Sequence, residues 1–182
     1  MEGNHQSMAI QISGEIRVHI RWLVSRDMTE VLDIEQESFE FPWSEEDYLR
    51  CLRSRNCIGM VAEYHGQVVG YMIYELGKNK IQLLNMATAS RYRRYGVATQ
   101  MIAKLISKLT LQRRNRITFE IRETNLPAQL FFRSAGFYAT QILRNFYEQM
   151  QEDAYFMQYR HTPEITTEVY PEAHNRIIQY LT

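Results

Sequence analysis

A basic segment at residues 90–100, SRYRRYGVATQ, has the composition of an anion-binding loop. Arg91, Arg93 and Arg94 precede Gly96, and a small residue follows two positions later. The segment leaves a predicted strand and opens an apolar helical pattern. The first N–H groups of a helix lack intrahelical partners and lie at its positive end. A glycine lets an anion approach this backbone, so the loop predicts a pyrophosphate cradle. A plain helix start with solvated arginines is the alternative.

The composition is that of an ordinary globular domain. The chain has 182 residues, of which 45% are hydrophobic and 23% charged, and its formal net charge is zero. The neutral charge argues against nucleic acid as the main partner, because phosphate backbones select a basic face. No apolar run approaches the roughly 20 residues that span a bilayer. The first residues also lack the regions of a secretory signal. We therefore expect a cytoplasmic protein that binds neither nucleic acid nor membrane.

The two cysteines predict no covalent or metal framework. Cys51 and Cys57 are six residues apart and have no nearby Cys or His partner. This spacing fits neither a zinc site nor a disulfide framework. We expect two reduced thiols, as in a cytosolic protein, and no metal site.

Apolar periodicity predicts an α/β protein with the element order β-α-α-β-β-β-α-β-α-β-β. One strand–helix–strand crossover among antiparallel hairpins requires a mixed sheet with helices on both faces. Residues 1–15 are polar and aperiodic, which predicts a disordered extension. The domain itself is expected at 16–161, and 162–182 is expected to form a C-terminal tail with one short helix.

Four segments, in order, resemble the Gcn5-related N-acetyltransferase (GNAT) superfamily. LLNMATASRYRRYGVATQMI is similar to its Arg/Gln-x-x-Gly-x-Gly/Ala motif, and FEIRETNLPAQLFFRSAGF to its following strand and helix. DIEQESFEFPWSEEDY and LRNFYEQMQEDAYFM resemble the ribosomal-protein-alanine N-acetyltransferases, the RimI type. The resemblance covers roughly residues 17–160. It implies a GNAT-like fold, acetyl-CoA as co-substrate and transfer of the acetyl group to an amine.

The resemblance also implies where acetyl-CoA binds. The strand before the basic loop would contact the acetyl and pantetheine arms, the loop would hold the pyrophosphate, and the next helix start would bond the CoA arm. Arg91 and Arg93 are equally well explained as solvated side chains, and Asn125 as a simple helix N-cap. The implied cofactor residues are Met86, Ala87, Thr88, Arg93, Arg94, Tyr95, Gly96, Val97, Ala98, Thr99 and Asn125.

On the acceptor side, the resemblance implies that Glu120 is the general base, acting through water. An outward-facing strand carboxylate is the alternative. Tyr147 matches a tyrosine pair that holds the acceptor peptide, although a strand tyrosine often only packs. Phe41 and Trp43 are expected either to wall the peptide groove or to pack between two helices.

Phe132 departs from the family pattern. Many members have a tyrosine here that protonates the leaving thiolate, and phenylalanine has no proton to give. Three interpretations stay open. The thiolate leaves without a dedicated acid, since a thiol pKa near 8.5 makes it a tolerable leaving group. Another tyrosine, Tyr147 or Tyr138, takes the role. Or the chain binds acyl-CoA and catalyses poorly.

The expected acceptor is the N-terminal α-amine of a protein, namely an alanine of a small-subunit ribosomal protein. The second hypothesis is a GNAT enzyme for lysine side chains or small-molecule amines. The neutral charge mildly disfavours a polycationic acceptor, which would prefer an acidic cleft. The third is a non-catalytic acyl-CoA-binding module, for which Phe132 is the best support.

Overall fold

The computed structural model describes residues 14–148 and 151–161. Within these ranges the chain forms seven strands and four α-helices. In chain order they are β1 (His19–Trp22), α1 (Met28–Ser38), α2 (Glu45–Leu52), β2 (Cys57–Tyr64), β3 (Gln67–Leu76), β4 (Ile81–Thr88), α3 (Val97–Ile106), β5 (Arg116–Arg122), α4 (Leu126–Ser134), β6 (Tyr138–Tyr147) and β7 (Glu152–Arg160). This confirms the predicted element order and the mixed α/β class. The domain boundaries stay predictions, because residues 1–13 of the expected extension 1–15 and the expected tail from residue 162 lie outside the described residues.

All seven strands belong to one sheet in the order β1-β2-β3-β4-β5-β7-β6. Every neighbouring pair is antiparallel except β4 and β5, which are parallel and are joined by α3. Parallel strands need such a crossover, whereas antiparallel strands can be joined by tight turns. Among the described residues, the last strand along the chain, β7, lies between β5 and β6 and pairs with both.

The sheet has a hydrophobic core on each face, because successive residues of a strand point to opposite sides. On β3, Tyr71 and Ile73 belong to the core that α1 and α2 cover. Met72 and Tyr74, the alternate residues, belong to the larger core that α3 and α4 cover. The sheet is therefore a central layer, as the mixed-sheet prediction requires.

Alternating apolar residues predict a first strand from Ile16, and apolar residues spaced by four predict about four turns for α3. Both elements are shorter in the structure. The expected first strand begins at Ile16, but the side chain of Gln100 in α3 takes the hydrogen bonds of this segment. Gln100 Nε2 donates to Ile16 O at 2.6 Å, and Val18 N donates to Gln100 Oε1 at 3.1 Å. The helix α3 ends at Ile106, before its predicted four turns. Beyond this residue the Leu109 N–H donates to Ile106 O at 2.9 Å, three residues back, which is a turn hydrogen bond and not an α-helical one.

The sequence predicts a Ser44–Asp47 helix cap, a hairpin turn at His65 and Gly66, and a left-handed helix end at Gly136, and the structure has all three. The Ser44 hydroxyl accepts a hydrogen bond from Asp47 N at 3.3 Å, and Ser44 N donates to the Asp47 carboxylate at 3.0 Å. His65 and Gly66 both have positive φ, 49° and 78°, as a two-residue hairpin turn requires. Gly136 follows α4 with φ of 88°, which confirms the predicted left-handed helix end.

The prediction of two reduced thiols is wrong for this structure, which pairs Cys51 with Cys57 as a disulfide. Cys51 lies in the last turn of α2, and Cys57 is the first residue of β2. The chain reverses between them, so the two Cα atoms are 6.1 Å apart, within the range that a disulfide spans. Sequence spacing alone could not indicate this reversal.

A buried ion pair fixes the start of α1 against the sheet. Arg21 on β1 donates two hydrogen bonds to the carboxylate of Asp27, at 2.6 and 2.9 Å, and a third to Glu63 on β2 at 2.6 Å. Asp27 also accepts the Val24 N–H at 2.9 Å. The hydrogen bonds from Arg21 hold the pKa of Asp27 below its ordinary value, and burial opposes them only in part.

We expect Asp27→Asn to lower the free energy of unfolding by about 2 kcal/mol, as for loss of a charge-assisted hydrogen bond. The reason is that the amide keeps an acceptor for Val24 but offers no negative charge to Arg21. Urea unfolding at neutral pH measures this loss.

The same pair gives a pH dependence. A carboxylate whose folded pKa is lowered stabilises the fold above its unfolded pKa, and this contribution is lost as the pH falls through the folded pKa. Between pH 5 and the lowered pKa, the wild type should therefore lose more stability than the Asp27→Asn variant. Equal acid sensitivity of the two proteins would contradict this assignment.

Candidate active site

The candidate site lies where the two parallel strands separate. β4 and β5 pair only at Ile81 with Ile117 and at Gln82 with Thr118. Beyond these pairs both strands continue without bonding each other, and a bulge at Leu84 shifts the register of β4 against β3. A cavity of about 780 Å³ occupies the space between the diverging strands. The divergence leaves backbone N–H and C=O groups facing the cleft, where a ligand can bond them.

The cavity brings together predicted residues from five parts of the chain. Its lining includes residues of the α1–α2 loop, β4, β5, the start of α4 and the end of β6. The predicted residues that line it are Phe41, Trp43, Met86, Glu120, Asn125 and Tyr147, together with Phe132. Ala87 and Thr88 continue β4 from Met86 toward the basic loop.

The basic loop connects the end of β4 to α3. Gly96 is the N-cap of α3 and has φ of 78°, a conformation that side chains disfavour. A Cβ atom built on Gly96 would lie 3.2 Å from Glu15 Cγ, so space around this glycine is also restricted. The N–H groups of Val97, Ala98 and Thr99 follow at the helix start, where no intrahelical acceptor precedes them. The geometry is that of an anion-binding helix terminus.

The arginines of this loop differ in their surroundings. Arg93 folds back, with its guanidinium donating to Thr88 O at 3.1 Å and to the hydroxyl of Ser38 at 3.0 Å. Arg91 donates to the side chain of Gln67 at 3.3 Å and lies over the ring of Tyr92. Arg94 is exposed and adopts a positive φ of 71° directly before the glycine turn.

Glu120 and Tyr147 both line the cavity, one from β5 and the other from the end of β6. Both side chains are half-buried. Burial raises the pKa of the Tyr147 phenol, and the negative charges of Glu120 and Glu152 raise it further, while Arg122 acts in the opposite direction. Tyr147 is therefore a neutral hydroxyl near a carboxylate, able to donate or accept a hydrogen bond.

Phe132 is part of an aromatic cluster that lines the cavity, and it contributes no polar group to the site. Its side chain is 8% exposed, and its ring centroid lies 4.2 Å from that of Phe119 and 5.4 Å from that of Phe137. The ring lines the cavity and can only exclude water there. Asn125 begins α4 as predicted, since its side-chain oxygen accepts the Ala128 N–H at 3.2 Å.

Phe41 and Trp43 lie in the loop between α1 and α2. Phe41 is 54% exposed although it lines the cavity. Trp43 lines the cavity and also packs edge-on against Tyr48, with ring centroids 5.4 Å apart. The packing alternative for Trp43 is therefore observed, and its role at a peptide groove stays a prediction.

Two carboxylate clusters at the cavity were missed by sequence reasoning. Arg122 on β5 donates to Glu152 on β7 at 2.6 Å and to Glu40 of the α1–α2 loop at 3.2 Å. Glu35 on α1 is 1% exposed and accepts hydrogen bonds from several elements. Burial raises its pKa, and hydrogen bonds from Trp43 N, Tyr48 and Asn85 partly oppose the rise. A carboxylate within the apolar stripe of α1 was the signal that could have revealed Glu35.

The site and fold define a class of enzyme. The model of the Acetyltransferase (GNAT) family matches residues 28–137, more than half of the chain, and the chain belongs to this family. It is an acetyl-CoA-dependent N-acetyltransferase. The cleft between β4 and β5 and the helix start at Gly96 fit a co-substrate with a long arm and a pyrophosphate.

Particular relatives refine the class. The ribosomal protein bS18-alanine N-acetyltransferase of Escherichia coli K12 is 27% identical over 137 residues, which cover 74% of this chain and 92% of the relative. The crystal structure of the E. coli ribosomal-protein-S18-alanine N-acetyltransferase has a TM-score of 0.71 at 25% identity, covering 79% of this chain and 94% of that one. NAA60 of Arabidopsis thaliana in complex with acetyl-CoA shares the fold at 14% identity, with a TM-score of 0.69 and coverage of 79% and 98%.

Two further properties concern the described residues alone. No group of three or more His, Cys, Asp or Glu residues in 14–148 and 151–161 is arranged to hold a metal ion. In the same ranges, each helix is too short or too polar to cross a membrane.

We expect Glu120→Gln to lower the pKa of Tyr147, because the substitution removes a negative charge that disfavours the phenolate. Titration of protein labelled with ¹³C at the tyrosine ζ carbon measures the pKa, and the Tyr147→Phe variant assigns the signal. Glu63→Gln, at a carboxylate bonded to Arg21 away from the cavity, is the control and should leave this pKa unchanged. An unchanged Tyr147 titration in Glu120→Gln would show that the two groups do not interact.

Proposed function

We propose that this enzyme acetylates the N-terminal α-amine of a protein, and that its acceptor is an alanine of a small-subunit ribosomal protein. The observation that carries the proposal is the cavity itself, which continues from the β4–β5 cleft to a wall of Phe41, Trp43 and Tyr147. An extended peptide terminus fits between this loop and the end of β6. The alanine and ribosomal parts are supported by the relatives, whose names give them that substrate.

On the acetyl-CoA side, the backbone groups of Met86, Ala87 and Thr88 bond the acetyl and pantetheine arms. This assignment is supported by the open edge of β4 beyond Gln82. The pyrophosphate lies against the helix start, in contact with the residues Arg94, Tyr95, Gly96, Val97, Ala98 and Thr99. The helix dipole and the unpaired N–H groups favour the anion there.

Two loop residues have additional roles. Arg93 acts mainly by fixing the loop, since its guanidinium bonds Thr88 O and Ser38, and its positive charge also favours the pyrophosphate. Asn125 caps α4 with its oxygen and donates from its amide nitrogen to the CoA arm. The cap thereby places the donor at the edge of the cavity.

For the chemistry, the N–C bond forms as the amine attacks the thioester carbonyl, and the C–S bond breaks. Glu120 accepts the proton of the amine through a water molecule. Tyr147 holds the acceptor terminus by its hydroxyl and is the group placed to return a proton to the leaving thiolate. Phe132 supplies no proton and keeps water from the thioester. The low basicity of a thiolate makes the missing tyrosine tolerable.

The decisive assay combines acetyl-CoA with a peptide panel read by intact mass. The panel holds an Ala-initiated ribosomal-type peptide, other N-termini, and an N-blocked peptide with internal lysines. We expect one added acetyl group, confined to free Ala-type N-termini. Acetylation of the blocked peptide would instead make the enzyme a lysine acetyltransferase. Transfer to none of the peptides would contradict a peptide acceptor and leave a small amine.

In the same assay, we expect Glu120→Gln to lower kcat by on the order of a hundredfold, as for loss of a general base. The acetyl-CoA dissociation constant should remain unchanged, because the neutral amide keeps the shape of the side chain. If wild type and variant transfer acetyl at equal rates, Glu120 is not the base.

The pyrophosphate assignment predicts that Gly96→Ala weakens acetyl-CoA binding about tenfold, which corresponds to 1.4 kcal/mol. A Cβ there strains the left-handed conformation and presses on Glu15. Gly66→Ala is a matched control, since Gly66 has the same φ of 78° but open space around it. Both variants should lose about 1 kcal/mol of stability from the strained φ, and only Gly96→Ala should bind acetyl-CoA less tightly in calorimetry. Equal affinities would place the pyrophosphate elsewhere.

A further inference from the structure

Glu35 is a buried carboxylate that receives hydrogen bonds from four separate parts of the fold. One oxygen, Oε1, accepts the backbone N–H of Trp43 at 2.7 Å and the amide of Asn85 at 3.1 Å. The other, Oε2, accepts the hydroxyl of Tyr48 at 2.9 Å, the hydroxyl of Tyr71, and the same Asn85 amide at 3.0 Å. These donors belong to the α1–α2 loop, α2, β3 and β4. No basic side chain contributes to the cluster among the described residues.

The position of two of these donors connects the carboxylate to the reaction. Trp43 belongs to the α1–α2 loop, which walls the acceptor side of the cavity. Asn85 lies on β4 between the bulge at Leu84 and Met86, at the side where the thioester is proposed to bind. One carboxylate therefore holds both walls of the cavity, and it lines the cavity itself.

This arrangement is costly for a purely structural role. Removing a carboxylate from water without a cationic partner is strongly unfavourable, and apolar residues would fill the same volume at lower cost. Trp43 directly precedes Ser44, the N-cap of α2, and without Glu35 its backbone N–H could bond a water molecule. What the buried carboxylate of Glu35 adds over water is a fixed position of the loop relative to β4, because it bonds both.

We propose that Glu35 is a positioning residue for acetyl transfer, which locks the loop of residues 39–44 against β4 so that the acceptor amine meets the thioester at the reactive distance. The inference rests on the proposed function, in that the loop is taken to hold the acceptor. Glu35 does not touch the reacting atoms. It acts through Trp43 on the acceptor and through Asn85 on the strand that binds acetyl-CoA.

The test is Glu35→Gln, which keeps the size of the side chain. Asn85 Nδ2 donates to both oxygens of Glu35, so an amide nitrogen at either position meets this donor. The substitution therefore removes at least one hydrogen bond of the cluster and weakens the attachment of the loop to β4. We expect kcat/KM for the peptide to fall on the order of tenfold or more, since small misplacement of reactants has large effects on rate. The acetyl-CoA dissociation constant should change less than twofold, because the basic loop and α3 are untouched.

Asp27→Asn is the matched control, because Asp27 is an equally buried carboxylate that lies away from the cavity. It should lower stability while leaving kcat/KM for the peptide at the wild-type value, when both are measured well below the unfolding temperature. Tyr48→Phe is a milder variant that removes one donor and keeps the carboxylate. It should shift kcat/KM in the same direction as Glu35→Gln, by a smaller factor.

A second readout does not depend on turnover. In a Trp22→Phe background, Trp43 is the remaining tryptophan and reports on the loop. Glu35→Gln should shift its emission to the red and raise its quenching by acrylamide, and Asp27→Asn should do neither. This measurement keeps the inference testable even if no peptide acceptor is found, which would count against the proposed function alone.

Two results would overturn the inference. One is a Glu35→Gln variant whose kcat/KM for the peptide and Trp43 emission equal those of the wild type. The other is a variant that loses acetyl-CoA affinity and peptide turnover by the same factor, as a general loss of structure would produce. If Glu35→Gln does not fold, an unchanged kcat/KM in Tyr48→Phe would have the same consequence.

Discussion

The short parallel contact between β4 and β5 is the constraint on which the rest of the structure depends. Two residue pairs hold these strands together, and everything beyond them diverges. The divergence creates the cavity and exposes the backbone of β4 to a ligand. The parallel pairing of β4 and β5 also requires the α3 crossover, because parallel neighbours cannot be joined by a tight turn. The start of α3, where the pyrophosphate is proposed to bind, therefore follows the end of β4 as a consequence of the same strand geometry.

The carboxylates around this cleft differ in the groups that bond or surround them, and these groups indicate what each one does. Glu152 accepts hydrogen bonds from Thr124 and Arg122. Both lower its pKa, and the hydrogen bond from Thr124 has the larger effect. Glu35 has donors but no cation, and burial raises its pKa. Glu120 lines the cavity, and its charge raises the pKa of Tyr147. Glu152 thus joins β5 to β7 through Arg122, Glu35 joins the α1–α2 loop to β4, and Glu120 lines the cavity, where proton transfer is its proposed role.

Much of this could be predicted from sequence where the signal is local. The element order, the Ser44 cap, the His65–Gly66 turn and the glycine at the start of α3 all depend on neighbouring residues, and the structure has them as expected. The Cys51–Cys57 pairing and the Glu35 cluster could not be predicted in this way. Both depend on where the chain returns in space, and a carboxylate in an amphipathic stripe does not reveal which distant donors surround it.

The position of β7 has a consequence for biosynthesis. It is the last strand of the described domain, yet it lies inside the sheet between β5 and β6. During synthesis, β5 has no partner on that side until β7 has left the ribosome, because chains emerge from their N-terminus. Glu120 is on β5, and Tyr147 is at the end of β6. The two residues therefore reach their places in the sheet only after β7 has been synthesised, and a nascent chain that lacks β7 has no assembled cavity.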